Sequence, residues 1–380
     1  MLSTITDYRD GAALYRSLGV RPLINASAPL TVLGGSILAP GVLEAMSSAA
    51  QCFIDINELE IAVGARLAEL THNESALVVG GCAAGLLEAF AALMVGTDPV
   101  LLKQLPDTTG LKDQVIIERT HRNPYDQAVR TSGANFVEIG REGGTRTEDL
   151  EAAITEKTVG VFYVVADWLP PGALALEQTI ELAHRRGLPV IVDAAHQIPP
   201  MRNLWYFTRD LGADIAIFSG GKCLQGPQAS GLVVGKKWII DAMARNGYPN
   251  QSIGRPAKVG KENIFGLLAA VEWYVGLDHS ARQAEWDSWV QSFAQRVSGL
   301  TGVTVERGFP GEAGEFVPYA RVILEPDKAR LEKDALVAAL RQGEPSIVVG
   351  SGKNGVSVYT ATLKPGEMGQ IAERFVELLG

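Results

Sequence analysis

The sequence predicts an α/β protein built on a mostly parallel sheet, with a smaller α+β part at its C-terminal end. The first observation is a series of continuous apolar, β-rich runs between residues 76 and 235 that alternate with helical patterns. The second is a change of character after Tyr248, where a polar stretch precedes long helices and short strands. The third is the composition of the 380 residues, 47% hydrophobic and 20% charged, which allows a large core and excludes disorder as the main theme.

The predicted elements of the first part follow one another closely. Glu58–Leu70 has apolar residues at helical spacing, Ala83–Met94 is a second helix, and Leu176–Arg186 ends in two arginines before a glycine, as helices commonly do. Continuous apolar strands that alternate with helices indicate a mostly parallel sheet covered on both faces. The expected strands are Ala76–Val79, Gln114–Glu118, Asn135–Ile139, Gly160–Val165, Leu188–Val192, Asp214–Phe218 and Gly231–Gly235.

The chain after Tyr248 predicts a different arrangement. Pro249–Glu262 is polar and contains Pro and Gly, which is typical of a loop. The elements expected after it are helices at Ile264–Val275, Ala281–Leu300, Lys328–Arg341 and Gly366–Leu379, and strands at Val303–Glu306, Arg321–Leu324, Ser346–Val349 and Val356–Thr360. We therefore expect an N-terminal arm over residues 1–40, a large α/β domain over 41–260 and a small α+β domain over 261–380.

Charge and cysteine content exclude several classes of protein. With 34 Lys and Arg against 43 Asp and Glu, the formal net charge is −9, which argues against binding to a nucleic-acid backbone. Three scattered cysteines are too few for a disulfide framework or a zinc cluster, and the five histidines show no metal-ligand spacing. We expect neither a metal nor a nucleic-acid partner.

The N-terminal sequence and one apolar stretch indicate whether the protein is secreted or inserted in a membrane. The sequence MLSTITDYRDGAALYRSLG lacks a basic start followed by an apolar run, so it predicts no signal peptide. Ala76–Gly96 is about long enough for a membrane span, but Glu88 and a Gly pair interrupt it and no Lys or Arg flanks it closely. A buried strand, a glycine turn and a buried helix explain the stretch better. We expect a cytoplasmic protein without a membrane partner.

Three features follow buried strands, where open α/β sheets bind ligands. In the first, Gly80 and Gly81 join a strand to a helix, which offers free N–H groups and the positive end of the helix dipole to an anion such as phosphate. A tight turn between packed elements explains the Gly pair equally well. The glycines are adjacent, so the segment is not a dinucleotide fingerprint, and it is not a P-loop because no Gly-Lys-Ser/Thr follows.

The second and third features are Asp193, at the end of VIVD, and Lys222, after IFSGG. An Asp at the end of a buried strand is most often a cap or turn residue, although cofactor enzymes also use one to pair with a protonated ring nitrogen. An ordinary lysine is a solvated charge, whereas a catalytic amine condenses with a carbonyl cofactor or has a lowered pKa. The two residues lie one strand–helix unit apart and could converge on one ligand. Together they indicate a site more strongly than either does alone.

Several longer segments resemble a known family. They are INASAPLTVLGGS (24–36), ERTHRNPYDQAVRTSGA (118–134), VDAAHQIPP with NLW (192–205), IFSGGKCLQGPQASGLVVG (217–235) and IGRPAKVGKENIFGLLAAVEW (253–273). They are similar to pyridoxal 5'-phosphate (PLP) enzymes of the aspartate-aminotransferase fold, fold type I, in the branch of bacterial selenocysteine synthase and D-glucosaminate-6-phosphate ammonia-lyase. The resemblance implies a seven-stranded sheet in the large domain. It also implies a homodimer or higher homo-oligomer whose site forms at the subunit interface.

The resemblance implies roles for individual residues. Lys222 would carry PLP as a Schiff base, and Asp193 would pair with the pyridine nitrogen. His121 would stack on the ring face, for which a loop histidine bonded to the backbone is the alternative.

The remaining cofactor contacts are expected at the helix start and in two loops. They are Gly81, Cys82, Ala83, Ser219, His196, Gln197, Lys258 and Gly260. The first three would cradle the phosphate with main-chain N–H groups. Arg255 and Lys258 lie in the polar loop that reaches the active site in related enzymes, often that of the neighbouring subunit, and a solvated loop is the alternative.

Some positions depart from the family pattern. His196 stands where a small residue is expected, so it could touch the cofactor phenolic oxygen or the substrate, or simply pack, and Gln197 competes for that phenolic contact. Cys82 is less typical of the phosphate site than a hydroxyl or a small residue. Asn25 and Thr31 are expected on a substrate-side loop.

The resemblance favours an amino-acid lyase. The freed Lys222 amine would take the Cα proton of a 2-amino acid, and loss of a β-hydroxyl would lead to a 2-oxo acid and ammonia. The substrate would be derived from a sugar and could be phosphorylated, with Arg255 and Lys258 as phosphate contacts.

Other functions remain open at this stage. Aldol cleavage, racemisation and transamination use the same lysine, but Gly355–Tyr359 lacks the arginine with which many aminotransferases bind an α-carboxylate. A tRNA-dependent, selenocysteine synthase-like reaction is disfavoured by the net charge of −9. A non-catalytic binding protein of the same fold is disfavoured by the intact Lys222–Asp193 pair.

Overall fold

The computed structural model describes residues 10–352 and 354–380. The predicted absence of a signal peptide concerns the N-terminal sequence, of which residues 1–9 lie outside the described residues. Of the helices in the described part of the chain, none has both the length and the apolar character that crossing a membrane requires.

In the part of the chain that the structure describes, twelve strands form two sheets. The strands are β1 (Leu23–Ala26), β2 (Ser75–Val79), β3 (Gln114–Glu118), β4 (Asn135–Ile139), β5 (Thr158–Val164), β6 (Val190–Asp193), β7 (Ile215–Ser219), β8 (Gly231–Gly235), β9 (Val303–Gly308), β10 (Tyr319–Leu324), β11 (Ser346–Gly352) and β12 (Gly355–Tyr359).

The α-helices precede, alternate with and follow the strands of the larger sheet. They are α1 (Gly11–Ser17), α2 (Val42–Ala49), α3 (Ile56–Leu70), α4 (Cys82–Val95), α5 (Asp126–Thr131), α6 (Thr147–Ala153), α7 (Leu176–Arg185), α8 (Asn203–Trp205), α9 (Lys237–Asn246), α10 (Lys261–Val275), α11 (His279–Val297), α12 (Lys333–Gln342) and α13 (Glu367–Leu379). Short 3₁₀ turns lie at Thr31–Leu33, Leu101–Lys103 and Arg119–His121, and a π-helical turn at Tyr206–Asp210 continues α8.

The larger sheet has seven strands in the order β2-β8-β7-β6-β5-β3-β4. The neighbouring pairs from β7 to β4 are parallel, whereas β8 runs antiparallel to both β2 and β7. This arrangement confirms the predicted seven-stranded, mostly parallel sheet of an α/β protein.

Both faces of the larger sheet are covered. In β6, Val190 and Val192 belong to one buried apolar cluster and Ile191 belongs to the other, and all three are fully buried. In β3, Ile116 and Ile117 divide between the same two clusters. Because successive strand residues point to opposite faces, this division explains why these strands are continuous apolar runs.

The smaller sheet has five strands in the order β1-β11-β12-β10-β9. β1 pairs with β11 in parallel, and the other neighbours are antiparallel. A separate apolar cluster that includes Phe293 and Phe375 packs α11 and α13 together beside this sheet. The predicted α+β character of the C-terminal part is confirmed.

Contacts divide the chain into two units. The large unit comprises Gly34–Leu277 and Glu312–Glu315, and the small unit comprises the described residues up to Leu33 together with Asp278–Gly311 and Phe316–Gly380. These limits differ from the predicted ones at residues 40 and 260. α10 lies in the large unit because it packs against α2 and α3, and β1 lies in the small unit because it pairs with β11.

Two elements of the small unit differ from the sequence expectation. β1 lies where only an arm was expected, since four residues carry little periodicity of their own. The helix expected from Lys328 begins only at Lys333. Ahead of it, Asp327 has a positive φ of 63°, and the N–H groups of Lys328 and Ala329 both donate to the Glu325 carbonyl, which closes a separate turn.

Candidate active site

The carboxyl ends of neighbouring parallel strands bring Asp193 and Lys222 together. Asp193 ends β6 and pairs in register with Ile217 of β7. β7 ends two residues later at Ser219, and a tight turn, in which the Gln225 N–H donates to the Lys222 carbonyl at 2.9 Å, follows. Strand order therefore accounts for the convergence that the sequence spacing suggested.

The start of α4 forms a cradle of main-chain N–H groups. Gly81 precedes the helix with φ of 124°, a conformation that residues with a side chain rarely adopt. No side chain caps the helix, so the first N–H groups, including those of Cys82 and Ala83, have no intrahelical partner. Across the cradle, a Cβ on Gly231 would lie 2.7 Å from the Gly81 carbonyl carbon, so this close approach requires glycine.

The polar loop before α10 packs on the same strand-to-helix turn. A Cβ on Gly80 would lie 2.6 Å from the Ala257 carbonyl oxygen and 3.5 Å from that of Lys258. The cationic groups of Arg255 and Lys258 lie 5.2 and 5.8 Å from the centroid of the Tyr248 ring. The backbone of the loop that carries Arg255 and Lys258 therefore packs against the strand-to-helix turn that precedes α4. Gly260 caps the start of α10 and accepts the Ile264 N–H through its carbonyl.

Asp193 is buried, with 8% of its surface exposed, and one carboxylate oxygen is held from two sides. Oδ1 accepts the Ala195 N–H at 3.0 Å and lies 3.5 Å from the Cys82 sulfur. Burial raises the pKa of the Asp193 carboxyl, while the Ala195 N–H, the positive charge of Lys222 and the Cys82 thiol act in the opposite direction. The residue is thus placed to interact with a cationic group.

The charge of Lys222 acts on three neighbours. It lowers the pKa of the Asp193 carboxyl, of the Cys82 thiol and of the His196 imidazole. For the thiol, burial and then the Asp193 charge outweigh it and raise the pKa well above its usual range. For His196, burial is the larger cause, and the pKa falls to about 3. Lys222 therefore lies close enough to Asp193, Cys82 and His196 for its charge to act on all three.

His121 follows β3 in a 3₁₀ turn and is almost fully buried. Its ring meets the Tyr163 ring edge to face, with centroids 4.4 Å apart. Burial lowers the pKa of His121 to about 4, so the imidazole is neutral near pH 7. Its Nδ1 has no hydrogen-bond partner among the described residues. Nδ1 of the buried imidazole is therefore not bonded to the backbone of the described residues.

His196 and Gln197 have different surroundings. The His196 Nε2 lies 3.9 Å from Glu315 Oε1. The Gln197 amide nitrogen donates to the carbonyl oxygens of Val165, at 2.9 Å, and of Ala313. The amide N–H groups of Gln197 are therefore engaged by the protein itself.

Other predicted residues lie at the end of β7 and in the small unit. The Ser219 N–H donates to the Ala195 carbonyl at 3.2 Å, which ties β7 to the segment after Asp193. Asn25, in β1, closes a local turn: its amide nitrogen donates to the Ala28 carbonyl at 2.8 Å, and its oxygen accepts the Ser27 N–H. Thr31 begins a 3₁₀ turn.

Three residues near the site have no counterpart among the predicted ones. The Ser36 N–H donates to the Gly221 carbonyl at 3.0 Å, beside Lys222. Tyr163 contacts His121, and Glu315 faces His196. Tyr163 could have been predicted as a site residue, because it is an aromatic residue near the end of β5, the strand between β3 and β6. Glu315, which lies in a short segment far away in sequence, could not.

This group of residues fits PLP chemically. The cofactor presents a phosphate dianion, a ring nitrogen that can be protonated and an aldehyde. The unpaired N–H groups of α4 match the phosphate, the buried Asp193 carboxylate matches the ring nitrogen, and the Lys222 amine matches the aldehyde. In residues 10–352 and 354–380, no cluster of three or more His, Cys, Asp or Glu side chains is arranged for a metal.

Comparison with known proteins identifies the family. A family model described as SelA, L-seryl-tRNA selenium transferase, matches residues 31–285. The chain belongs to the SelA family. D-glucosaminate-6-phosphate ammonia lyase of Salmonella typhimurium is 31% identical over 374 residues, covering 96% of this chain and 97% of the relative. A 5'-C-glycyluridine monooxygenase-decarboxylase of a Streptomyces species is 32% identical over 375 residues, covering 96% and 92%.

Solved structures agree with this assignment to the SelA family. A structure of D-glucosaminate-6-phosphate ammonia-lyase superposes with a TM-score of 0.84 at 31% identity and covers 96% of this chain and 97% of that one. A structure of SPT with PLP, 14% identical with a TM-score of 0.58 and covering 94% and 87%, shows the shared fold. The resemblance stated from the sequence is confirmed, and the chain is a PLP-dependent enzyme of fold type I.

Proposed function

We propose that the protein is a PLP-dependent lyase that converts a 2-amino-3-hydroxy acid to a 2-oxo acid and ammonia. The reaction removes the Cα proton and the β-hydroxyl as water, and a water molecule then hydrolyses the resulting enamine. The substrate is a sugar-derived amino acid, of the kind named for the ammonia lyase that is 31% identical to this chain from end to end.

The proposal rests on the proximity of Lys222 and Asp193. Asp193 ends β6 next to β7, and the positive charge of Lys222, which follows β7, lowers the pKa of the Asp193 carboxyl. When bound, PLP supplies an electron sink for the electron pair left at Cα. The Asp193 carboxylate holds a proton on the ring nitrogen. The Lys222 amine accepts the Cα proton and can return it. His121, neutral because burial lowers its pKa to about 4, covers one ring face without adding positive charge.

We assign the cofactor phosphate and an anionic group of the substrate to two neighbouring elements. These are the start of α4, which offers main-chain N–H groups, and the loop before α10, which carries two cations. The N–H groups of Gly81, Cys82 and Ala83, with the Ser219 hydroxyl, bind the cofactor phosphate. Arg255 and Lys258 bind an anionic group of the substrate, because their loop packs beside the start of α4 and presents two cations. Lys258 and Gly260 remain candidates for the cofactor as well.

Four residues keep the roles that the resemblance suggests. His196 contacts the phenolic oxygen or the substrate, and Gln197 contributes its Oε1 to the same region. Asn25 and Thr31 are the proposed substrate contacts of the N-terminal segment.

A second candidate is an oxygen-dependent decarboxylation, favoured by the monooxygenase-decarboxylase relative that is 32% identical over 96% of this chain. It would consume O₂ and release CO₂. Aldol cleavage, racemisation and transamination, which were open from the sequence, would form no ammonia.

The test is an assay of the PLP-loaded protein with D-glucosaminate 6-phosphate, D-glucosaminate and D-serine. We expect equal amounts of ammonia and 2-oxo acid from at least one of them, in air and under nitrogen alike. The Lys222→Ala variant should form neither product. Lys237→Ala, on the exposed face of α9, is the matched control and should retain the activity. Products that require O₂, or release of CO₂ without ammonia, would favour the second candidate.

Arg255 provides a sharper test of the substrate class. If Arg255 binds a substrate phosphate, Arg255→Ala raises KM for the phosphorylated substrate by about tenfold or more, because a charge-assisted hydrogen bond is lost, and leaves KM for the unphosphorylated one unchanged. Arg245→Ala, another exposed arginine before this loop, is the control. An equal effect of Arg255→Ala on both substrates would contradict the phosphate assignment.

We also propose that the protein is a cytoplasmic homodimer or higher homo-oligomer. Five large apolar side chains in one part of the large unit are exposed: Ile37, Leu43, Phe53, Ile54 and Ile61. Large exposed apolar side chains such as those of Phe53 and Ile61 are typical of protein interfaces. Phe53→Ser with Ile61→Ser should lower the mass measured by light scattering, whereas Trp238→Ser, which alters an exposed tryptophan outside this segment, should not. The three free cysteines agree with a reducing compartment.

A further inference from the structure

The first residue of α4 connects the two anionic parts of the cofactor site. The main-chain N–H of Cys82 belongs to the cradle at the helix start. Its sulfur lies 3.5 Å from Asp193 Oδ1 and 3.7 Å from the Ile217 carbonyl oxygen. A single residue therefore touches both the phosphate cradle and the carboxylate that faces the ring nitrogen.

The thiol acts as a donor in this position. Burial, followed by the negative charge of Asp193, raises the pKa of Cys82 well above its usual range, so the sulfur keeps its proton near neutral pH. A thiol has one proton to donate. Of the two acceptors in reach, the carboxylate oxygen is both the closer one and the charged one, and charged acceptors form the stronger hydrogen bonds.

The two donors to Asp193 converge on one oxygen. Oδ1 accepts the Ala195 N–H at 3.0 Å and the Cys82 thiol, whereas no hydrogen bond from the described residues reaches Oδ2. A carboxylate held at one oxygen by two donors has a fixed plane and keeps its second oxygen for another partner.

We propose that Cys82 is a positioning residue that holds Oδ1 of Asp193 so that Oδ2 bonds the protonated ring nitrogen of PLP. This inference rests on the proposed role of Asp193. It means that the side chain of this cysteine acts at the ring nitrogen, at the opposite end of the cofactor from the phosphate. Serine, which has a hydroxyl donor, should therefore replace Cys82, whereas alanine should not.

The test compares Cys82→Ala with Cys82→Ser in protein loaded with ring-¹⁵N-labelled PLP. We expect Cys82→Ala to raise the PLP dissociation constant by about three- to tenfold, as loss of one hydrogen bond to a charged group predicts. Its ring ¹⁵N resonance should move toward that of a neutral pyridine. Cys82→Ser should keep both values close to those of the wild type. Cys52→Ala, at an exposed cysteine, is the control for removing a thiol.

The outcomes separate this inference from the proposed function. A packing role alone would lower the thermal stability of Cys82→Ala without moving the ¹⁵N resonance, and that result overturns the inference. Asp193→Asn should move the resonance further than Cys82→Ala does. If Asp193→Asn leaves it unchanged, the proposed role of Asp193 fails, and the inference fails with it.

A second measurement does not depend on the stability of an alanine variant. The S–H stretching band of Cys82 in the infrared spectrum reports its hydrogen bond directly, and Cys82→Ser identifies the band. We expect a frequency typical of a thiol bonded to a carboxylate, which rises in Asp193→Asn. A band that is the same in the wild type and in Asp193→Asn would show that the thiol donates elsewhere.

Discussion

The rings of His121 and Tyr163 meet edge to face, with centroids 4.4 Å apart and planes inclined by 72°. The Tyr163 hydroxyl donates to the Leu174 carbonyl at 2.9 Å, and the Leu174 N–H lies 3.1 Å from both carboxylate oxygens of Glu118. Glu118 ends the strand that His121 follows. A closed chain of contacts therefore fixes the imidazole that is proposed to cover the cofactor ring.

This relationship predicts a difference between two variants of Tyr163. Tyr163→Phe keeps the ring contact and loses one hydrogen bond, so it should cost about 1 kcal/mol of unfolding free energy and leave PLP affinity nearly unchanged. Tyr163→Leu also removes the aromatic edge, and we expect weaker PLP binding because His121 is less well held. Fluorescence titration with PLP and urea unfolding measure the two effects. Equal PLP affinities of the two variants would argue against support of His121 by the ring.

Gly231 predicts a second effect at the cradle. A Cβ there would lie 2.7 Å from the Gly81 carbonyl carbon and 3.0 Å from the Cys82 nitrogen, both of which are main-chain atoms that cannot turn away. Gly231→Ala should therefore lower the unfolding free energy by about 1–3 kcal/mol and weaken PLP binding. Gly299→Ala is the matched control, because its Cβ would meet no atom within 4 Å. Normal PLP affinity in Gly231→Ala would show that the cradle tolerates displacement.

Acid should destabilise the protein through its buried histidines. Burial lowers the pKa of His121 from 6.5 to about 4 in the folded protein. Between these values the unfolded chain binds more protons, so stability is present above pH 6.5 and is lost as the pH falls toward 4. The change is on the order of 3 kcal/mol for His121. His121→Asn should reduce the slope of unfolding free energy against pH in this range, and an unchanged slope would contradict the assignment.

For Glu60 we expect the opposite dependence of stability on pH. Burial raises its pKa from 4.5 to about 7, and burial together with the Glu60 charge raises the pKa of Glu88 on α4 well above its usual range. Protonation of Glu60 favours the folded state below pH 4.5, and that contribution is lost as the pH rises through about 7. Glu60→Gln should therefore stabilise the protein at about pH 8 more than at pH 5.

Urea unfolding at the two pH values measures the Glu60 effect. Glu58→Gln, at an exposed position of the same helix, controls for the loss of one negative charge. A gain in Glu60→Gln that is the same at both pH values would mean that removal of charge, and not titration of Glu60, is responsible.

The parts of the site that were predictable from sequence are those set by strand ends. Asp193 and Lys222 each follow a buried apolar run, and parallel neighbours place such ends on one edge of a sheet. The Gly81–Cys82 turn was recognisable for the same reason, since a strand, two glycines and a helix leave little choice of geometry. The seven strands of the larger sheet were found to within about two residues, because all except the edge strand β4 are runs of mostly buried residues.

What the sequence did not show depends on partners far away in the chain. β1 is a four-residue strand whose pairing with β11 joins residues that are more than 300 positions apart. Glu315 faces His196 from a four-residue segment that returns to the large unit. The Cys82 thiol contact with Asp193 spans 111 positions. Local periodicity carries no information on such pairs.

Borohydride reduction of the PLP-loaded protein, followed by mass spectrometry of its peptides, shows which lysine carries the cofactor. We predict a single stable PLP adduct on the peptide that contains Lys222, and none in Lys222→Ala, while Lys237→Ala is labelled like the wild type. An adduct on another lysine, or no adduct in the presence of excess PLP, would contradict the assignment of Lys222 and the lyase mechanism built on it.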